Sequence, residues 1–145
     1  MKPYRRIFLA SSMVLGMALL LGAGGGPGQA VAADEPETFP CVSESGLEQE
    51  IAPEASLEEF ACFRKSWKGA ETLHFKVRLK NVSDQPQRFR VNIFLDNGKG
   101  VGGLIPRKTK GGLIEPGASA EFAYPVKGMT EKPCSLFLRI MTMNP

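Results

Sequence analysis

Two stretches of strict alternation constrain this chain more than any other feature in it. Leu73, Phe75, Val77 and Leu79 interleave with His74, Lys76, Arg78 and Lys80; Phe89, Val91, Ile93 and Leu95 interleave with Arg88, Arg90 and Asn92. A period of two places every apolar side chain on one face of an extended segment, so each stretch predicts a half-buried β-strand. On this reading His74 faces solvent. Asn81-Val-Ser-Asp-Gln-Pro separates the two strands and Asp96-Asn97-Gly98 closes the second, both rich in residues that favour local bends. Phe122 and Tyr124 mark a further strand after Glu115-Pro116-Gly117, where Pro and Gly suit the central positions of a type II turn. Ser135 to Thr142 is apolar on both faces, which predicts a central last strand.

Upstream the pattern is less distinct. Leu57 to Trp67 fits a helix face through Leu57, Phe60, Ala61 and Arg64, or a strand through Ala61, Phe63, Lys65 and Trp67. Its aromatic content and the Lys68-Gly69-Ala70-Glu71 turn favour a first strand. Ser45-Gly-Leu-Glu48 and Ser56-Leu-Glu-Glu59 have the spacing of capping boxes, and Leu47 and Ile51, four apart, permit a helical turn or two before Pro53.

The start of the chain reads as an address. Lys2, Arg5 and Arg6 precede an apolar run from Ile7 to Ala23, Gly24 to Gln29 breaks it, and Ala30 and Ala32 are the small residues a signal peptidase accepts. This predicts a signal peptide over residues 1–33, cut before Ala33 or Asp34, with an uncut anchor as the alternative. No cysteine near the cut offers a lipid anchor. Arg5-Arg6-Ile7-Phe8-Leu9 is similar to a twin-arginine export signal, although Tyr4 and Ala10 depart from its pattern. The expectation is a periplasmic or secreted protein, exported by the general secretory route, with the twin-arginine route as the alternative. No transmembrane span is expected after cleavage.

Cleavage changes the charge. Three of the 18 basic residues lie in the leader and all 15 acidic residues follow it, so the remainder is formally neutral. That neutrality is uneven: Asp34 to Phe63 carries nine acids and no base, and Arg64 to Pro145 carries six acids and 15 bases. Opposed halves indicate an interaction within the chain or with a partner. The division predicted is a signal peptide (1–33), an acidic N-terminal arm (34–56), partly helical or disordered, and a β-sandwich domain (57–145).

Short strands with turn signals at these intervals suggest a mainly β, antiparallel sandwich. Phe75-Lys-Val-Arg-Leu-Lys-Asn-Val-Ser-Asp-Gln-Pro, Phe94-Leu-Asp-Asn-Gly, Leu113-Ile-Glu-Pro-Gly-Ala-Ser-Ala-Glu-Phe and Phe137-Leu-Arg-Ile together cover most of residues 60–142. This pattern resembles the bacterial immunoglobulin-like envelope domains of the YcfL-like and FxLYD-like families. The resemblance implies an immunoglobulin-like β-sandwich and an envelope setting, and supplies no catalytic residue. The acidic arm and the Lys99–Lys110 insert have no counterpart in it.

Cys41, Cys62 and Cys134 are an odd number for an oxidising compartment, so one disulfide and one free thiol are expected. Cys41 and Cys134 each follow a Pro, while Cys62 lies in the apolar Phe60-Ala-Cys-Phe63. The favoured pair is therefore Cys41–Cys134, with Cys62 as a buried free thiol. Such a bond closes a loop of roughly 90 residues, for which chain entropy gives about 4 kcal/mol. No Cys-x-x-Cys supports redox work.

Chemistry-bearing motifs are sparse. His74 with Met129, Met141, Met143 and a cysteine would suit copper, but a blue-copper site needs two histidines and the chain has one. Lys99-Gly-Val-Gly-Gly lacks the Gly-Lys-Ser/Thr ending of a phosphate loop. No Gly-x-Ser-x-Gly accompanies the single histidine, and acidic pairs concentrate in the arm, away from any dry pocket. No metal-ligand spacing is present, and the compartment and neutral charge argue against nucleic acid. Lys99, Arg107, Lys108 and Lys110 are the candidates for meeting an anion or a partner.

The expectation is an exported, non-enzymatic binding or accessory module without a cofactor. It would meet an envelope protein or an anionic surface partner through a sheet edge or the basic Lys99–Lys110 loop. Two alternatives stand beside it: a periplasmic redox or copper accessory protein, and a structural envelope component without a defined ligand.

Overall fold

The computed structural model describes residues 34–108 and 112–143. The leader, with its cleavage site and twin-arginine-like start, lies outside the described residues, as does Lys110. A 3₁₀ turn, Glu44–Gly46, precedes the strands β1 (Leu47–Ile51), β2 (Ala55–Trp67), β3 (Ala70–Asn81), β4 (Arg88–Leu95), β5 (Gly100–Ile105), β6 (Ser119–Pro125) and β7 (Leu136–Met143).

The alternating segments become β3 and β4. β3 buries Leu73, Phe75, Val77 and Leu79, and β4 buries Phe89, Val91, Ile93 and Leu95. They lie in different sheets, β2-β3-β6 and β1-β7-β4-β5. Their apolar faces contribute to one core, joined by Leu136, Leu138 and Ile140 of β7. β7 is flanked by β1 and β4, the central position its two-sided apolar pattern predicts. β2 and β3 form a hairpin closed by Lys68 (φ 51°) and Gly69 (φ 82°). Positive φ at both central residues matches the right-handed twist of the flanking strands.

The expected immunoglobulin-like antiparallel β-sandwich does not hold, and with it goes the likeness to the YcfL-like and FxLYD-like domains. β1 runs parallel to β7, from Leu47 opposite Leu136 to Ile51 opposite Ile140, while the other pairings are antiparallel. The two sheets are open, with β1 and β5 as edges of one and β2 and β6 as edges of the other. Alternation specifies which side chains share a face, but leaves strand direction and neighbour order free. The motifs that carried the resemblance are strand-and-turn motifs, and they are compatible with either arrangement.

The acidic segment is not a helical or disordered arm. Its first capping-box pattern yields only the short 3₁₀ turn, and Leu47–Ile51 continues as β1; its second falls inside β2. Phe39 pairs with Cys62 through two backbone hydrogen bonds of 2.8 Å. Three of its nine acids find ion-pair partners within the fold, among the described residues: Glu50 takes Arg139 at 2.8 Å, Glu58 takes Arg78 at 3.2 Å and Glu59 takes Lys76 at 3.3 Å. These pairs are partly exposed and individually weak, but they place the acidic and basic halves of the chain together.

The glycine-rich stretch that reads as a mobile insert holds β5, paired to β4 from Phe89–Ile105 to Phe94–Gly100. Its glycines are used. Gly102 has φ 152°, and a Cβ there would collide with the Val91 carbonyl oxygen and lie 2.9 Å from its carbon. Gly102→Ala is expected to cost about 2 kcal/mol through backbone strain and displacement of β5. Thermal unfolding measures this, and an unchanged midpoint would contradict the assigned β4–β5 register.

Candidate functional site

The edge strands β5 and β6 approach each other across the core, with the Tyr124 ring 3.5 Å from the position a Cβ on Gly103 would occupy. An open concavity of about 610 Å³ runs along this flank. Val101, Gly102, Arg107, Phe122 and Tyr124 line it where β5 meets β6. Phe63, Lys65, Trp67 and His74 line it from β2 and β3, with Ala123 and Pro125 of β6 between the two groups. Among the described residues no acidic side chain lines it, whereas Lys65 and Arg107 do.

Arg107 is held in place at its backbone. The Arg88 guanidinium donates from Nε to the Pro106 carbonyl at 3.0 Å and from its terminal nitrogen to the Arg107 carbonyl at 2.7 Å. The Arg107 guanidinium then lies 4.9 Å from the centre of the Phe122 ring, a cation–π distance. Phe122 sits 4.8 Å from the Tyr124 ring, tilted by 53°. Arg107 has no carboxylate partner among the described residues.

Tyr124 completes this line. It is 4% exposed, and its phenol oxygen has no hydrogen-bond partner among the described residues. A buried hydroxyl left in this state costs about 1–3 kcal/mol. Burial pushes its pKa up, against an opposing pull from the Arg107 charge, so the phenol stays protonated and able to donate.

The other wall is aromatic. His74 does not face solvent as alternation predicts: it is 6% exposed, its ring stacked on Phe63 at 4.9 Å. The two residues are cross-strand partners in the β2–β3 register, so an aromatic neighbour covers an outward position. His74 Nδ1–H donates to the Thr72 carbonyl at 2.9 Å, leaving Nε2 as the free ring nitrogen of the neutral form. Trp67, beside the hairpin turn, carries Lys68 Nζ 4.7 Å from its ring centre.

The four basic candidates do not converge. Lys99 and Arg107 flank opposite ends of β5, which alone spans roughly 20 Å. Lys99 Nζ donates to the Lys127 carbonyl at 3.0 Å, Lys108 is exposed outside the groove lining, and Lys110 lies outside the described residues. Of the four, only Arg107 enters the groove. Extended pairing of β5 with β4 separates charges that a flexible loop would have gathered.

The predicted disulfide is also corrected. Cys62 bonds to Cys41, with Cα atoms 5.0 Å apart, and Cys134 is the exposed free thiol. The Phe39–Cys62 bridge brings Cys41 alongside β2, a non-local pairing that the flanking prolines do not encode. The soft-ligand residues are dispersed: His74 lies on β3, Met141 and Met143 on β7 in the other sheet, and Met129 in the β6–β7 connection. Among the described residues no group of three or more His, Cys, Asp or Glu side chains lies together.

Tyr124, Phe122 and Trp67 enter the site, although their sequence pattern marks them only as strand residues. A signal existed for Tyr124. It shares a face with Ala120 and Phe122, and an inward-facing phenol needs a polar partner. Comparison with protein-family models, curated proteins and solved structures finds no match.

Proposed function

We propose that this chain is an exported, non-enzymatic binding module whose working surface is the open flank between β5 and β6. Its partner is an envelope protein or another anionic surface partner. The observation that carries this reading is the groove itself: cationic and aromatic side chains line it, no described acid does, and a backbone-anchored Arg107 stands at one end. Two further features support it. β5 is an uncharged edge strand, Gly-Val-Gly-Gly-Leu-Ile, without the lysine or proline that commonly blocks such an edge. The acidic segment engages Lys76, Arg78 and Arg139, whereas the two cations that line the groove, Lys65 and Arg107, have no carboxylate partner among the described residues.

Ala123→Arg tests this reading, because Ala123 lines the groove from the strand face opposite the core. The variant is expected to melt like the parent and to retain at least tenfold less partner when immobilised and washed with envelope extract. Equal retention by both proteins would remove the flank from consideration.

A further inference from the structure

We propose that the Arg107–Phe122–Tyr124 end of the groove is a subsite for a carboxylate carried on an apolar stem. The proposal rests on the flank being the binding surface, and it names the chemical group that the flank recognises. A guanidinium presents paired N–H donors that match the two oxygens of a carboxylate. Arg107 offers such a fork, its backbone fixed by Arg88 and its charge set over the Phe122 ring. Tyr124 adds a protonated hydroxyl that nothing else in the described protein engages. Guanidinium and phenol are linked through one intervening ring, at 4.9 and 4.8 Å.

The remainder of the lining selects the stem. Phe63, Trp67 and Phe122 offer aromatic surface to an apolar group, whereas a fully hydrated anion would gain nothing from it. The donors suit a single negative charge. The Arg107 end has one anchored guanidinium, the other lining cation, Lys65, standing on β2, and the described groove has no glycine-rich cradle at a helix N-terminus of the kind that holds phosphate. Two sources present this chemistry: a free aryl or alkyl acid, and a chain ending in an apolar residue with a free C-terminal carboxylate.

Trp67 is the single tryptophan of the chain and lines the same groove, so its emission is a built-in reporter. The purified protein is titrated with 4-phenylbutyrate, its amide, phenyl phosphate, and a short peptide ending in Phe with a free or amidated C-terminus. Calorimetry serves as a second readout. Saturable binding of an acid, weakened at least tenfold in the matching amide, is the expected result. The small acid and the peptide arms show which source the groove prefers. Arg107→Gln should abolish the difference between acid and amide, and Tyr124→Phe should weaken acid binding about fivefold. Circular dichroism melts establish that both variants fold. Equal affinity for acid and amide, tighter binding of phenyl phosphate, or no saturable binding by either readout would overturn the subsite. If the acids fail while Ala123→Arg still abolishes partner retention, the subsite falls and the flank reading stands. If both tests fail, both readings fall.

Discussion

Asn81→Leu is expected to destabilise the protein by about 3 kcal/mol, because the amide is fully buried and its bonds both close the β3–β4 turn and tie that turn to Ile114. Its Nδ2 donates to the Gln85 carbonyl at 2.7 Å and to the Ile114 carbonyl at 2.8 Å. Its Oδ1 accepts from the Ser83 amide at 2.9 Å and the Ser83 hydroxyl at 2.7 Å. Both donors and both acceptor positions of the amide are therefore used. The main chain adds two more bonds, Asn81 N–H to the Ala118 carbonyl and Gly117 N–H to the Asn81 carbonyl. One side chain thus joins the end of β3, the β3–β4 turn and the segment that enters β6. Leucine fits the volume roughly but satisfies none of these groups. For a domain of this size the loss should lower the thermal midpoint by roughly 10–15 °C.

Asn81→Asp separates the amide's shape from its hydrogen bonds. An ionised carboxylate keeps the acceptors for Ser83 but points lone pairs at two carbonyl oxygens. Protonation restores one donor, so the folded state holds the proton more tightly than the unfolded chain and the carboxyl pKa is raised. Between the unfolded value of about 3.9 and the raised folded value, the unfolded state binds fewer protons and stability falls as pH rises. The variant should therefore lie closest to the parent below about pH 4 and diverge from it toward neutrality. Urea unfolding at pH 4 and pH 7 measures this. A gap between variant and parent that does not widen with pH would mean that the Asn81 donors are unimportant.

Asn81 also shows how far a sequence carries. Asn81-Val-Ser-Asp-Gln-Pro announces a turn by composition alone, and the alternation on either side marks β3 and β4 nearly to their ends. Both signals are local, set by neighbours a few residues apart. What was not legible is non-local. β1 forms in an acidic segment with a helix-start signature because β7 offers it a free edge at a separation of about 90 residues, where each residue of β1 finds a parallel partner. Glycines 100, 102 and 103 look like looseness in the sequence. Gly102 is demanded by the nearby Val91 carbonyl, and at Gly103 the Tyr124 ring packs close by. The groove follows the same rule. Arg107 could be singled out as a cation, but its selection over Lys99 and Lys108 depends on Arg88 and Phe122, which reach it only through the fold.

Removing the Cys41–Cys62 bond is expected to cost about 3 kcal/mol, from the chain entropy of a loop with a sequence separation of 21. Cys41→Ala/Cys62→Ala should show this loss by urea unfolding, while Cys134→Ala, at an exposed position, should be near neutral. The effect should be uneven across the molecule. The bond fixes the segment just before β1, next to the Phe39–Cys62 bridge and the packing of Arg64 over the Phe39 ring at 5.0 Å. β1 itself is a five-residue edge strand with no hairpin to hold it, so its amides should exchange fastest once the tether is gone. Peptide mapping tests the pairing directly. No Lys or Arg lies between Asp34 and Phe63, so trypsin leaves Cys41 and Cys62 in one peptide. The bond then appears as a peptide two hydrogens lighter than its reduced form, and cleavage after the intervening glutamates yields a linked pair. A Cys41–Cys134 bond would instead join that peptide to the one ending at Arg139. Under native, non-reducing conditions a thiol reagent should label Cys134 alone; labelling of Cys62 would overturn the assignment, and with it the reason the acidic segment lies against β2.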